Sequence, residues 1–331
     1  HWQYTMDREF LETKAYPWLK DVSVFLDEVS VKTDDGKRKL RISSSPEIYN
    51  NSRKAWFAET TNFDLALIRW NFEKAAELAT ELGLEEDAKK WQQILSEWPE
   101  LAVDPETGLM FAPEFPYNES HRHFSHLMGF HPLALVDLSN GGADKKIIQN
   151  TLKNLEDRSP DYWTGYSYSW QGNLYARAFE GEKAAKALTT FAQCFCLKNS
   201  FHVNGDQCKA GHSKMTYRPF TLEGNFAFAS AIQEMLIQSH TGIVKLFPAI
   251  PESWQNASFE NLRTYGAFLV SAVMKDGELS QVTIKSKKGG VIKLANPFGA
   301  KEFKVNNAEY SLEDGVISVE MKTGQEISFC I

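Results

Sequence analysis

Over the first 240 residues, apolar positions recur three and four apart; beyond them they fall into short alternating runs. Phe10, Leu11, Leu19, Val22, Phe25, Leu26 and Val29 predict a helix entered around Asp7, with Pro17 as a kink or a new start. Residues 34–39 read as a polar turn. Residues 40–64 carry no period and read as a long loop, a feature that in compact domains is usually functional. Thr61, with Asp64 three positions on, has the spacing of a helix cap. The helix it opens carries Leu65, Ile68, Phe72, Ala75, Ala76 and Ala79 and stops at Gly83. A helix over Glu85–Trp98 ends at Pro99, and a second long loop covers 99–124.

Further helices are expected at about 125–138, 143–157, 166–180, 182–197 and 223–239. The last of these carries Phe226, Ala229, Ile232, Met235 and Leu236 and stops at His240-Thr241-Gly242. From Ile243 the pattern is β, with turns at Asp276-Gly277, Gly289-Gly290, Asn306-Asn307 and Asp314-Gly315. The expectation is an α + β multidomain chain. An α/α-toroid portion occupies 1–240, its loops converging on one face, and a small antiparallel β-sandwich occupies 241–331.

Composition narrows the function classes. The 331 residues carry 36 basic and 43 acidic side chains, a net charge of −7, and the basic ones are scattered. That argues against nucleic acid or an anionic membrane as partner. No apolar run approaches the roughly 20 residues needed to span a bilayer. Nine Trp and 22 Phe suit either the stacking of sugar rings or a large helical core. Cys194, Cys196 and Cys208, near His202 and His212, lack zinc-site spacing and are expected as free thiols.

Four stretches hold candidate chemistry. In 43–49, Pro46 fixes the backbone before Glu47, placing a carboxylate on a stiff loop as a general acid requires; the plain alternative is a solvated glutamate. In 118–132, His121, Arg122, His123 and His126 admit three readings: a metal site, a set binding sugar hydroxyls, or structural caps. No HExxH pattern and no acid in a zinc motif accompany them, which disfavours metal. Trp163 and Tyr166 lead into the helix bearing Trp170 and Arg177, a composition that fits a sugar site or a buried face. Glu223 stands before Gly224 at the start of a helix. It is either a rigidly held functional carboxylate or an acid favoured there by the helix dipole.

Taken in order, SSSPEIY, HRHFSHLMGFHP, TGYSYSWQGNLYARAFEG and PFTLEGNFAFASAIQEMLIQSHTGIVKLFPAIPESW resemble glycoside hydrolase family 95. That family contains inverting 1,2-α-L-fucosidases and some α-L-galactosidases. The likeness runs from His1 to about Gly277. It implies an (α/α)6 barrel lying between a large N-terminal β domain and a smaller C-terminal one, with the first helices and the N-terminal domain upstream of His1. Glu47 then matches the general acid of the family's Ser-Pro-Glu loop. Glu223 falls on the aspartate of an Asp-Gly-Asn-Phe-Gly motif, which helps asparagines activate the attacking water.

Three departures accompany the resemblance. Glu223 replaces that aspartate, Ala227 replaces the second glycine, and the asparagine pair belongs upstream of this chain. His121, Arg122, His123, His126, Trp163, Trp170 and Asn225 are expected against the sugar. The resemblance implies no metal or organic cofactor, an oligosaccharide or glycan as partner, and an extracellular or periplasmic location. The rival reading is a catalytically silent carbohydrate-binding relative. A weaker one is a polysaccharide lyase, which would use a Tyr or His base.

Overall fold

The computed structural model describes residues 1–330. Its helices are α1 (Trp2–Thr5), α2 (Arg8–Phe10), α3 (Tyr16–Val29), α4 (Asn62–Glu81), α5 (Glu85–Glu97), α6 (Gly142–Glu156), α7 (Gly165–Arg177), α8 (Gly181–Cys194) and α9 (Glu223–Leu236). A π turn over Leu11–Ala15 precedes α3. This wider turn opens room where the Pro17 ring would otherwise meet the carbonyl four residues back. The Thr61 side chain accepts the Asp64 N–H and caps α4. At its other end, Gly83 adopts a left-handed backbone, with Leu84 N–H bonded to the Ala79 carbonyl and Gly83 N–H to that of Thr80.

The expected helix at 125–138 does not form. Ser125–Leu127 is a single 3-10 turn, and Leu138–Asn140 is another. Pro132, joined to His131 by a cis peptide, lacks the N–H a helix needs and bars helical backbone before it. The apolar spacing there reflects burial of Phe124, Leu127 and Phe130 rather than a helix face. Helix α9 also ends early, and Ile237 and Gln238 already lie in a strand.

Two compact units make up the chain. One comprises Glu9–Trp170 and Thr190–Asn225; the other comprises His1–Arg8, Gln171–Thr189 and the chain from Phe226 onward. In the first, α3 packs on α4 and α4 on α5, around Leu11, Phe72 and Trp91. The amphipathic α3 leaves part of its apolar face in solvent: Trp18 is 62% and Phe25 59% exposed. Short hairpins pair β1 (Ser30–Lys32) with β2 (Arg38–Leu40), and β3 (Val103–Asp104) with β4 (Gly108–Leu109).

In the other unit, β5 (Ile237–Gln238) pairs with β6 (Lys245–Leu246). The remaining strands are β7 (Ala257–Thr264), β8 (Phe268–Lys275), β9 (Glu278–Ser286), β10 (Gly290–Ala295), β11 (Lys304–Asn306), β12 (Ser311–Glu313), β13 (Val316–Met321) and β14 (Glu326–Cys330). They form two antiparallel sheets, ordered β11-β14-β9-β8-β7 and β10-β13-β12. Phe268, Val270, Ala272 and Met274 alternate inward along β8, and Val270 and Ala272 share one core with Ile292, Leu294, Ile317 and Val319 of the second sheet. Asp276-Gly277 and Asp314-Gly315 have positive φ at both positions (50° and 76°; 50° and 74°), the backbone of the tight hairpin turn their sequence predicts.

The free-thiol expectation needs correction. Cys194 and Cys208 form a disulfide with Cα atoms 4.9 Å apart, while Cys196 stays free. The chain reverses through residues 195–203, where Cys196 bridges His202 and Val203 N–H bonds to the Phe195 carbonyl. That reversal helps bring together two cysteines 14 positions apart. Closing a loop of about 15 residues is worth about 3 kcal/mol. Replacing both cysteines with serine is therefore expected to shift the urea midpoint down by that equivalent. An unchanged midpoint would show the cross-link idle.

Candidate active site

The loop carrying Glu47 is pinned on both sides. Ser43 exchanges two backbone hydrogen bonds with Phe57 (3.1 and 2.8 Å). The Ser43 hydroxyl donates to Asp64 (2.6 Å) and accepts from the Thr61 N–H, while the Thr61 hydroxyl donates to the Ser44 carbonyl. The hydroxyls of Ser45 and Ser125 meet at 2.6 Å, and Ile48 is buried. Between these anchors Glu47, Tyr49, Asn50 and Asn51 all take positive φ (58°, 49°, 53° and 56°). Such backbone costs a residue with a Cβ on the order of 1 kcal/mol, persists only where the surroundings enforce it, and clusters at functional sites.

The Glu47 carboxylate is gripped from residues 75 and 76 positions away. Its Oε2 accepts Arg122 Nε at 2.7 Å and His123 Nε2 at 2.8 Å, with Arg122 Nη2 also on it. Burial pushes this carboxyl up. The His123 hydrogen bond and charge, joined by those of Arg122, outweigh that and hold it below the usual carboxylate range. His121 grips the same loop by donating Nε2–H to the Pro46 carbonyl at 3.2 Å. Burial drives the His121 pKa down to about 4, so the ring is neutral at neutral pH. Because folding depresses the Glu47 pKa, its ion pair contributes stability above the ordinary carboxylate range and loses it as pH falls through the depressed value.

A second carboxylate borders the same region. Ser167, in the first turn of α7, donates its hydroxyl to the Arg122 carbonyl at 2.8 Å. Its neighbour Tyr166 has a raised pKa, first from burial and then from the negative charge of Glu223. Glu223 is exposed as the first residue of α9, where free backbone N–H groups favour an acid. The first turn of α7 therefore adjoins the Glu47 grip through Arg122 and Glu223 through Tyr166. Trp170 stands one turn on, its ring 5.6 Å from that of Tyr166.

The other expected sugar contacts are buried or hydrogen-bonded within the protein. His126 is buried and stacked on Tyr117 (5.1 Å, 12° between planes), with burial pushing its pKa down to about 3. With no helix at 125–138, His123 and His126 share no helix face. Trp163 is buried, and its Nε1–H lies 3.3 Å from the Tyr117 hydroxyl. Trp170 is buried too, against Phe124. Asn225 commits both ends of its amide to backbone, Oδ1 to the His202 N–H and Nδ2 to the Ser200 carbonyl. Arg177 is 5% exposed and commits its guanidinium to Glu234 through two bonds of 2.6 and 2.9 Å.

For metal, the ligand atoms of Cys194, Asp206 and Cys208 converge within 4.8 Å among the described residues. The disulfide uses both sulfurs, and the Asp206 carboxylate already takes four backbone N–H groups, from Cys208, Lys209, Ala210 and His212. That set does not fit an ion. Sequence reasoning passed over Ser167 and the Pro46 carbonyl, and weighed His202 only as a zinc ligand. None has a local motif, since their partners are brought in from distant segments.

Comparison with known proteins gives a consistent picture. Residues 1–236 match the family model described as the glycosyl hydrolase family 95 catalytic domain, and residues 238–329 match that of the family's C-terminal domain. The chain is 29% identical over 298 residues to alpha-L-fucosidase 2 of Arabidopsis thaliana, covering 87% of this chain and 34% of that protein. It is 24% identical over 317 residues to the probable alpha-fucosidase A of Aspergillus niger, covering 83% and 36%. Among solved structures, an alpha-L-rhamnosidase from Dictyoglumus thermophilum aligns with 99% of this chain and 38% of its own at 13% identity, with a TM-score of 0.46. The chain spans about a third of the length of the curated relatives it matches.

Proposed function

Because the chain belongs to glycoside hydrolase family 95, we propose that it carries the acid side of an inverting glycosidase site. The substrate is a terminal α-L-fucoside or the related α-L-galactoside of an oligosaccharide or glycan. The observation that carries this is the strained, doubly anchored Glu47 loop, with its carboxylate held by Arg122 and His123. In this reading Glu47 protonates the leaving glycosidic oxygen. Glu223 polarises amide groups that activate a water on the opposite face of the sugar. An inverting pair stands roughly 6.5–9.5 Å apart, leaving room for that water.

The architecture we infer is part of an α/α toroid followed by a β-sandwich, completed by sequence upstream of His1. The exposed face of α3 and the greater length of the relatives support that completion. An oxidising compartment outside the cytoplasm fits the disulfide.

A general acid must hold a proton, yet Arg122 and His123 lower the Glu47 pKa and so favour its ionised form. Sugar hydroxyls drawing Arg122 and His123 away would let the carboxyl rise and take up a proton. This sets the pH dependence. In the free enzyme, kcat/KM on a poor leaving group should fall as pH rises through the depressed Glu47 value. Arg122→Met removes a cation and raises that value, so this alkaline limb should move to higher pH. A limb that stays in place would take Glu47 out of the acid role.

The same ion pair also favours a second reading, a carbohydrate-binding relative without turnover. Release of fucose from an aryl α-L-fucoside, by the protein carrying its own upstream sequence, separates the two. Turnover supports the hydrolase, whereas saturable sugar binding with no product supports the binder.

A further inference from the structure

We propose that His202 is a positioning residue for Glu223, locking the start of α9 against the first turn of α7. The inference rests on the reading of Glu223 given above. His202 is fully buried, its ring tilted 38° to that of Phe191 with centroids 5.2 Å apart. Its bonds bracket Glu223 in sequence. Nδ1–H donates to the Thr221 carbonyl at 2.7 Å, two residues before Glu223. The His202 backbone N–H donates to Asn225 Oδ1 at 3.0 Å, two residues after it. Thr221 is fixed in turn by donating its hydroxyl to Asn204 Oδ1 at 2.9 Å.

Two glycines make room for the ring. A Cβ on Gly224 would stand 2.5 Å from His202 Nδ1, and one on Gly165 would lie closer still to Nε2. Neither glycine has a positive φ, so what these positions require is space and not a left-handed backbone. Gly165 opens α7, one residue before Tyr166, and Gly224 directly follows Glu223. The imidazole is therefore a spacer between the two helix starts. With the proton on Nδ1, the Nε2 lone pair faces Gly165, buried and without a hydrogen-bond partner among the described residues. Burial keeps the ring neutral by pushing its pKa down. An orphaned polar atom of this kind is a cost that packing alone does not explain, since an apolar side chain could fill the space without it.

The consequence is positional. A misplacement of about 1 Å in a positioned reaction costs roughly 10²-fold. The test compares His202→Asn, His202→Gln and His202→Ala in the protein with its upstream sequence, on an α-L-fucoside. An asparagine amide can reproduce the Nδ1–H donor, whereas a glutamine amide reaches the Nε2 position instead. Expected is a loss of about 10²-fold in kcat for Ala and Gln with KM changed less than about 2-fold, and recovery of most of it by Asn.

Gly224→Ala should also lower kcat, because its Cβ strikes the ring. It should add little once His202 is Ala, which removes the obstacle. Equal kcat in all three His202 variants, or losses from Gly224→Ala and His202→Ala that multiply independently, would overturn the proposal. Should His202→Ala not fold, the Asn-against-Gln comparison decides alone. Glu223→Gln in the same series separates the two levels. If it leaves kcat intact, the Glu223 reading falls and this proposal with it. If it abolishes turnover while the His202 variants do not, only the positioning role falls.

Discussion

Glu47→Gln is expected to lower turnover by about 10²–10⁴-fold on a fucoside whose leaving group is another sugar. On an aryl fucoside with an acidic phenol the loss should be far smaller, because that leaving group departs with little protonation. The substitution keeps the side chain's length and shape, so the pinned loop and its positive-φ backbone remain. What it removes is the proton donor and the negative charge between Arg122 and His123. Loss of that charge also releases the Arg122 guanidinium and the His123 ring from their shared partner, so KM should change as well as kcat. The contrast between leaving groups is the diagnostic part. Equal losses on both substrates would assign Glu47 to binding.

Glu223→Asp is the second large effect. The backbone on both sides of Glu223 is held, through Thr221, Gly224 and Asn225, against a buried ring. With so little backbone freedom, the reach of the carboxylate depends on side-chain length. One methylene moves it by about 1.5 Å, a carbon–carbon bond length, enough for roughly a 10²-fold change. A catalytic site shaped to the longer arm, as proposed for Glu223, predicts a fall of that size on α-L-fucosides and α-L-galactosides alike. A rise on fucoside alone would show the glutamate too long for that sugar. No change on either substrate would leave Glu223 as a helix-terminal acid.

How much of this was legible in the sequence depends on how far apart the cooperating residues lie. The caps and stops of α4, and the Asp276-Gly277 and Asp314-Gly315 turns, are local events settled within four residues, and they could be read directly. The stiffness around Glu47 was partly local, through Pro46. Its charge partners lie 75 and 76 positions away, and only the histidine cluster hinted at them. Residues 125–138 misled because Phe124, Leu127 and Phe130 meet the core at a spacing that resembles a helix, while Pro132 forbids one.

The same logic explains the other omissions. The disulfide was hidden by a chain reversal that no spacing rule encodes. His126, Trp163 and Asn225 have residue types suited to sugar binding, yet their polar groups satisfy the fold's own hydroxyls and backbone or lie buried. Residue type reports capability, and burial decides use. His202 had no motif at all, since its role exists only where segments near 165, 202 and 223 converge.

The most direct test of the central claim is the anomeric form of the first sugar released. An α-L-fucoside should be hydrolysed by the protein with its upstream sequence while proton NMR follows the anomeric signals, before mutarotation mixes them. Glu47 as acid and a water activated on the opposite face require β-L-fucose to appear first. First release of α-L-fucose would mean retention through a covalent intermediate, and would contradict the assignment of Glu47 and Glu223.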